Sequence, residues 1–184
     1  MEEFIFKVVL LGDGMVGKTS LRYRYLGKEF STNYLATLGA DFAIKELDYD
    51  NYHIRYQIWD LAGQARFDTL RKSFYLGSQG ALVLYDVTSR ESYNNVENWI
   101  SEFWNNNGKG TMPIVLIANK IDLRKDDGTC ITKEEGIQKA KEIEEQGDID
   151  YAVPYVETSA KTGVNIDLAF RTITDHYLKV NKMK

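Results

Sequence analysis

One stretch constrains the fold more than any other, Gly12-Asp13-Gly14-Met15-Val16-Gly17-Lys18-Thr19, which fits the pattern G-x-x-x-x-G-K-[ST]. The apolar run of residues 5–11 precedes it and predicts a buried strand, and residues 18–26 can begin a helix. Strand, glycine-rich turn and helix in this order are typical of a phosphate-binding loop. The alternative is a glycine-rich turn that binds nothing, and the flanking pattern favours the phosphate loop.

The chemistry of this loop comes from its backbone and from two side chains. Successive N–H groups and the start of the helix attract an anion. Lys18 can reach the outer phosphates of a nucleotide, and the Thr19 hydroxyl can bind Mg2+. The predicted phosphate contacts are Gly14, Val16, Gly17, Lys18, Thr19 and Ser20.

Length and charge narrow the class of protein. With 184 residues, we expect one domain spanning residues 1–184. A net charge of -4 argues against a nucleic-acid partner, which needs a basic surface. The single cysteine, Cys130, allows no internal disulfide and suits a reducing compartment, so we expect a cytoplasmic protein. No apolar run approaches the length of a membrane span.

Apolar runs alternate with amphipathic segments along the chain. Residues 42–49 and 53–59 flank Asp50-Asn51-Tyr52 and predict a hairpin, while residues 81–85, 114–118 and 154–156 predict further strands. The pattern predicts a three-layer α/β fold. Its sheet has six strands, mostly parallel with one antiparallel edge strand, and about five helices cover it. Such sheets bind ligands at the carboxyl ends of their strands.

The predicted helices carry caps and apolar faces. Thr88 with Glu91, and Thr132 with Glu135, each fit a capping box. Two apolar faces predict core packing, and they consist of Val96, Trp99, Ile100 and Phe103 in one helix and Ile166, Ala169, Phe170, Ile173 and Tyr177 in the last helix. Trp59 shares a strand face with polar residues, so it is either exposed or covered by another part of the chain.

A second motif, Trp59-Asp60-Leu61-Ala62-Gly63-Gln64, closes the third predicted strand. Asp60 stands where a carboxylate that holds Mg2+ follows an apolar strand. Gly63 can bring its N–H group close to a terminal phosphate, and Gln64 can orient a water molecule. The alternative is an ordinary turn, but its position after a strand favours the functional interpretation.

Two further motifs follow the fifth and sixth strands. In Asn119-Lys120-Ile121-Asp122, the Asp122 carboxylate can accept hydrogen bonds from the N1–H and N2–H2 groups of guanine, a pair that adenine lacks. Asn119 can contact the base and tie loops together, and the Lys120 stem can lie along the base plane. In Ser159-Ala160-Lys161, the Ala160 N–H group can meet the guanine O6 atom and Lys161 can cover the other base face.

These motifs occur in order over residues 5–178, and the sequence resembles the small GTPases of the Ras superfamily, with the Rab branch most similar. The resemblance implies a molecular switch that binds GTP or GDP with Mg2+ and slowly hydrolyses GTP, with a Rab-like role in signalling or trafficking. It implies catalytic roles for Gln64, Lys18 and Thr37 and metal ligation by Thr19, Thr37 and Asp60. It also implies that Phe30 packs against the guanine and that Tyr34 covers the phosphates.

Protein partners are implied by the same resemblance. Effectors, exchange factors and GTPase-activating proteins are expected to contact residues 37–42, Trp59 and residues 64–75, with Phe42, Trp59 and Phe74 as an aromatic triad. We expect a monomer. We also expect that the chain places no arginine of its own in the site, because Arg66 and Arg71 are expected to face solvent or a partner. Gly14 leaves room for a water molecule and a partner's arginine. Rab proteins usually carry glutamate in place of Ala65, so recognition by exchange factors stays open.

The chain ends in Asn181-Lys182-Met183-Lys184 without the cysteines of a Rab tail, so membrane association requires a lipidated tail outside this sequence. Two other classes stay open. One is a module that binds GTP without cycling, which the presence of Gly14, Thr37 and Gln64 argues against. The other is a phosphate-loop ATPase or kinase, which residues 119–122 disfavour.

Overall fold

The computed structural model describes residues 2–31 and 36–181. In these ranges the strands are β1 (Glu2–Leu11), β2 (Ala40–Tyr49), β3 (Tyr52–Leu61), β4 (Gly80–Asp86), β5 (Ile114–Asn119) and β6 (Tyr155–Glu157). They form one six-stranded sheet in the order β2-β3-β1-β4-β5-β6. The edge strand β2 pairs antiparallel with β3, and all other pairs are parallel. The predicted sheet is confirmed.

Helices cover both faces of this sheet. Across the described ranges they are α1 (Lys18–Tyr25), α2 (Asp68–Tyr75), α3 (Arg90–Asn94), α4 (Val96–Asn106), α5 (Lys133–Gly147) and α6 (Ile166–Val180). The short α3 leads directly into α4, so these segments amount to the five helices that were predicted. Side chains of α2 to α5 share one apolar core with the sheet, and those of α1 and α6 share a second core on its other face.

The central strands are buried because both of their faces are covered. Every residue of β4 and β5 is buried, as the short apolar runs predicted. In β3, Ile54, Tyr56 and Ile58 are buried while their neighbours along the strand are more exposed. The sheet thus directs the carboxyl ends of β1, β3, β4 and β5 toward one edge, where the motifs lie.

One of the two predicted capping boxes is wrong. Thr132 caps α5 as predicted, with reciprocal hydrogen bonds to Glu135 of 3.1 and 2.8 Å. At α3 the cap is Ser89, whose hydroxyl accepts the Ser92 N–H group at 3.2 Å. The Thr88 hydroxyl instead donates to the Asp86 carboxylate at 2.7 Å. Thr88 therefore belongs to the turn that closes β4, and the helix begins one residue later.

Candidate functional site

The segment between β1 and α1 curls around open space at the carboxyl edge of the sheet. Gly12 and Gly17 have φ angles of 132° and 102°, a region that glycine adopts at little cost. A Cβ atom at Gly17 would fall on the Asn119 amide nitrogen, and one at Gly12 on the Leu84 carbonyl oxygen. At Gly14 a Cβ atom would meet nothing within 4 Å. Two glycines thus allow the loop to close, while Gly14 faces free space.

This contrast gives a stability prediction. Gly17→Ala should lower the free energy of unfolding by about 1–3 kcal/mol, because it combines a strained φ with a clash against Asn119. Gly14→Ala is the matched control and should change that free energy by less than about 0.5 kcal/mol. Urea denaturation of both variants measures the difference. Equal midpoints would contradict the geometric argument.

Lys18 lies beneath the loop and is 6% exposed. Its ammonium group donates to the carbonyl oxygens of Gly12 at 2.6 Å and Asp13 at 2.8 Å. Burial lowers the pKa of Lys18 to about 8, although the carboxylates of Asp60 and Asp13 oppose the shift. A buried cation of this kind is stabilised by an anion placed beside it, so the loop is suited electrostatically to a phosphate group.

Oxygen atoms suited to a divalent cation gather at the start of α1. The Thr19 hydroxyl donates to the Asp60 carboxylate and lies 3.1 Å from the Thr37 hydroxyl. Asp60 is fully buried, and its second carboxylate oxygen has no hydrogen-bond partner among the described residues. Burial raises the pKa of Asp60, which a bound cation would reverse. Hydroxyl and carboxylate oxygens are ligands that Mg2+ prefers, so these residues fit that ion.

Asn119 connects the phosphate loop to the two motifs that follow β5 and β6. Its amide nitrogen donates to the Val16 carbonyl oxygen at 2.9 Å. Its amide oxygen accepts the Thr158 hydroxyl at 3.0 Å and the Ala160 N–H group at 3.3 Å. The Ala160 N–H group, predicted to meet guanine O6, thus points at Asn119 in this structure.

Asp122 and Lys120 are both held by other side chains at the rim. The Ser159 hydroxyl donates to Asp122 Oδ1 at 2.5 Å. The Lys120 ammonium group lies 2.6 Å from the Asp86 carboxylate. Ser159 is fully buried, so its role in the structure is to orient Asp122 from behind. Sequence reasoning did not anticipate Asp86, whose only signal was an acidic residue at the end of β4.

One cavity of about 600 Å³ joins these features. Most predicted site residues line it: Gly14, Gly17, Lys18, Thr19, Ser20, Phe30, Thr37, Gly63, Gln64, Asn119, Lys120, Asp122, Ala160 and Lys161. Val16, Asp60 and Ser159 do not line it, and they contact lining residues from behind. The predicted residue Tyr34 lies outside the described residues. Tyr23, Glu29, Ser31 and Leu123 also line the cavity and were missed, because no motif includes them.

The predicted aromatic triad forms a continuous row on the outside of the molecule. The ring centroids of Phe42 and Trp59 are 4.7 Å apart, and those of Trp59 and Phe74 are 5.0 Å apart. Trp59 is partly buried between them. It is therefore neither simply exposed nor fully covered, which were the two alternatives from the sequence. Phe42 and Phe74 flank its ring, and the residue as a whole stays partly exposed.

The prediction that Arg71 faces solvent or a partner is wrong. Its side chain is 3% exposed and is paired with Glu102 of α4 at 2.8 Å. Arg66, by contrast, is exposed as predicted. The error arose because local sequence shows α2 as a polar segment, whereas the partner of Arg71 lies 31 residues further along the chain.

A phosphate loop after β1, oxygen ligands behind it and an Asn-Lys-x-Asp motif after β5 meet at one cavity. This combination defines the class of phosphate-loop proteins that bind guanine nucleotides. The family model described as "Ras family" matches residues 7–179. The chain therefore belongs to the Ras family, which confirms the resemblance seen in the sequence.

Relatives with Rab names match nearly the whole chain. It is 43% identical over 178 residues to "Ras-related protein RABG3f" of Arabidopsis thaliana, covering 95% of this chain and 83% of that protein. It is 41% identical over 179 residues to "Ras-related protein Rab7" of Pisum sativum, with the same coverage. It is 35% identical over 181 residues to "Ras-related protein Rab-8B" of Homo sapiens, covering 98% and 82%. The Rab branch is thus the part of the family that this chain is similar to.

Proposed function

We propose that this protein is a guanine-nucleotide switch that binds GTP and GDP and slowly hydrolyses GTP to GDP, with a Rab-like role in trafficking. The observation that carries the proposal is that one cavity has a phosphate loop at one end and Asp122 at the other. The loop recognises phosphate groups and the carboxylate selects guanine, so a single ligand that fills the cavity satisfies both ends.

The predicted catalytic and metal-binding residues then have roles in hydrolysis. Lys18 and the loop N–H groups bind the β- and γ-phosphates, and Gln64 orients the attacking water molecule. Thr19, Thr37 and Asp60 would hold Mg2+, which supplies positive charge against the charge that develops on the phosphates. No covalent intermediate is required, because positioning and charge stabilisation account for the catalysis.

Slow turnover follows from the side chains around the cavity. None of its described lining residues is an arginine, so the chain brings no guanidinium group of its own to the γ-phosphate. In such proteins an arginine from a partner accelerates hydrolysis by about 10³- to 10⁵-fold. The open space at Gly14 is where such a group would enter.

The γ-phosphate is also the basis of the switch. Thr37 and Gly63 line the same cavity from two different segments, and the Ala62 N–H group donates to the Gly39 carbonyl oxygen at 2.9 Å. Contacts to the γ-phosphate exist in the GTP state alone, so its loss should change residues 28–39 and 63–74 together. Effectors, exchange factors and GTPase-activating proteins would recognise that change through residues 37–42, Trp59 and residues 64–75.

Domain organisation and location follow from the same proposal. Residues 1–184 form a single GTPase domain that acts as a monomer in the cytoplasm. None of the helices within residues 2–31 and 36–181 has both the length and the apolar character needed to cross a bilayer.

The function is tested by loading the purified protein with GTP and following phosphate release over one hour, with and without Mg2+. We expect slow release that needs Mg2+, and competition for binding by GTP and GDP but not by ATP. Stable GTP binding without phosphate release would indicate a module that does not cycle. Binding of ATP in preference to GTP would indicate an ATPase or kinase and overturn the proposal.

A further inference from the structure

Arg71 lies buried between α4 and the segment that carries Gln64. Its guanidinium group donates to the Ala62 carbonyl oxygen at 2.9 Å and lies 3.5 Å from the Gln64 carbonyl oxygen. These two carbonyl groups flank Gly63. A Cβ atom at Gly63 would lie 2.5 Å from the backbone of Asp13 and Gly14, so Gly63 already rests directly on the phosphate loop. One arginine therefore holds the backbone on both sides of that contact.

A second connection runs from Arg71 to the phosphate loop itself. The Arg71 guanidinium carbon lies 4.4 Å from the centroid of the Trp99 ring. The Trp99 indole N–H group donates to Asp13 Oδ1 at 2.7 Å, and the Asn95 amide donates to Asp13 Oδ2 at 2.8 Å. Arg71 is thus linked to Asp13 through the face of one aromatic ring in α4.

Two carboxylates keep the guanidinium group charged and in place. Glu102 accepts from Arg71 at 2.8 and 3.1 Å, and Asp68 accepts at 2.6 Å. The Tyr75 hydroxyl donates to the same Glu102 at 2.7 Å. Although burial acts against the charge, these carboxylates raise the pKa of Arg71 above its ordinary value. A lysine has one ammonium group and cannot make this planar set of contacts.

We propose that Arg71 is a positioning residue for GTP hydrolysis, which fixes the backbone around Gly63 and thereby orients the Gln64 side chain toward the phosphate loop. The inference rests on the function proposed above. Arg71 does not line the cavity, so it acts through Gln64 and not on the nucleotide. Trp99 is the second part of this device, because it joins Arg71 to Asp13.

Single-turnover GTP hydrolysis by Arg71→Lys tests the proposal. We expect the rate to fall by about 10- to 100-fold, because small displacements of a catalytic group cost about that much. The dissociation constants of GTP and GDP should stay within about twofold of wild type. The matched control is Arg90→Lys. Arg90 also pairs with a glutamate and lies over an aromatic ring, 2.6 Å from Glu135 and 5.3 Å from Tyr93, but it is half-exposed and outside the cavity lining.

The decisive arm repeats Arg71→Lys in a Gln64→Leu background, in assays long enough to measure the residual rate. If Arg71 acts through Gln64, the second substitution causes no further loss. An equal loss in both backgrounds, an unchanged rate in Arg71→Lys, or the same loss in Arg90→Lys would overturn the proposal. The wild-type protein in the same assay tests the proposed function separately. If wild type releases no phosphate, the proposed function itself is wrong, whatever Arg71→Lys and Gln64→Leu do.

Trp99→Phe is a second test of the proposal, which can be used if Arg71→Lys does not fold. Phenylalanine retains a ring for Arg71 to contact but removes the N–H group that Asp13 accepts. We expect slower hydrolysis that again depends on Gln64, with GTP affinity retained. Hydrolysis at the wild-type rate, or a loss that persists in the Gln64→Leu background, would contradict the role assigned to this pair.

Discussion

Replacing Asp122 with asparagine should weaken GDP and GTP binding by about 10²- to 10⁴-fold, since two hydrogen bonds to a charged group contribute about 1.5–3 kcal/mol each. In the proposed complex the carboxylate accepts from both N–H groups on one edge of guanine, whereas an asparagine amide presents one acceptor and one donor. Its NH2 group would then face the guanine N2 amino group, donor against donor. Ser159 holds Asp122 Oδ1 at 2.5 Å, so the side chain cannot turn away freely to relieve this conflict.

The same substitution should create a preference for xanthine nucleotides. Xanthine has a carbonyl oxygen where guanine has its amino group, so it matches the donor and acceptor of Asp122→Asn. Competition against a fluorescent GDP analogue measures both affinities. Asp126→Asn is the control, since Asp126 is an exposed residue of the loop that follows and does not line the cavity. Equal losses in both variants, or unchanged GDP affinity in Asp122→Asn, would show that position 122 does not select the base.

The fold and most of the cavity could be predicted because their signals are local. A glycine-lysine-threonine sequence after an apolar run identifies a loop within a span of eight residues, and the buried runs of β4 and β5 identify central strands. Parallel strands then bring their carboxyl ends to one edge, so motifs that lie far apart in sequence meet without any need to predict their contacts.

Contacts between distant side chains left no such signal. The periodicity of α4 predicted Trp99 as a core residue, and the residue is indeed only 8% exposed. Nothing in that pattern indicated that its N–H group reaches Asp13, a residue 86 positions earlier. Arg71 illustrates the same limit, since an arginine in a polar segment is usually exposed, and its main partner in the buried position, Glu102, lies far away in the sequence.

Asn119 shows why the two ends of the cavity act as a unit. It donates to the phosphate loop at Val16 and accepts from Thr158 and Ala160 next to Lys161. Because Asn119 is fully buried, loss of its bond to Val16 would leave the amide nitrogen without that partner, at a cost of about 1–3 kcal/mol. We therefore expect base recognition and phosphate binding to be coupled through this one buried side chain.

Gln64→Leu should lower the single-turnover rate of GTP hydrolysis by about 10²-fold while leaving GTP affinity nearly unchanged, because a water molecule that is not held in line with the γ-phosphate seldom reacts. Gln64 lines the cavity beside Gly63. We expect its contribution to affinity to be small compared with that of Lys18 and the loop, which bind the phosphates directly. Leucine has a similar size and lacks the amide, so the substitution removes the polar contacts to water and preserves most of the volume.

Rates measured with a radiolabelled γ-phosphate, and dissociation constants measured with a fluorescent GTP analogue, separate the chemical step from binding. Gln138→Leu is the matched control, because Gln138 lies exposed on α5 and forms its recorded hydrogen bond with Glu142 of the same helix. We expect that control to hydrolyse GTP at the wild-type rate. If Gln64→Leu also keeps that rate, another group must orient the water molecule. Thr37, a hydroxyl residue that also lines the cavity, is a candidate that Thr37→Val would test.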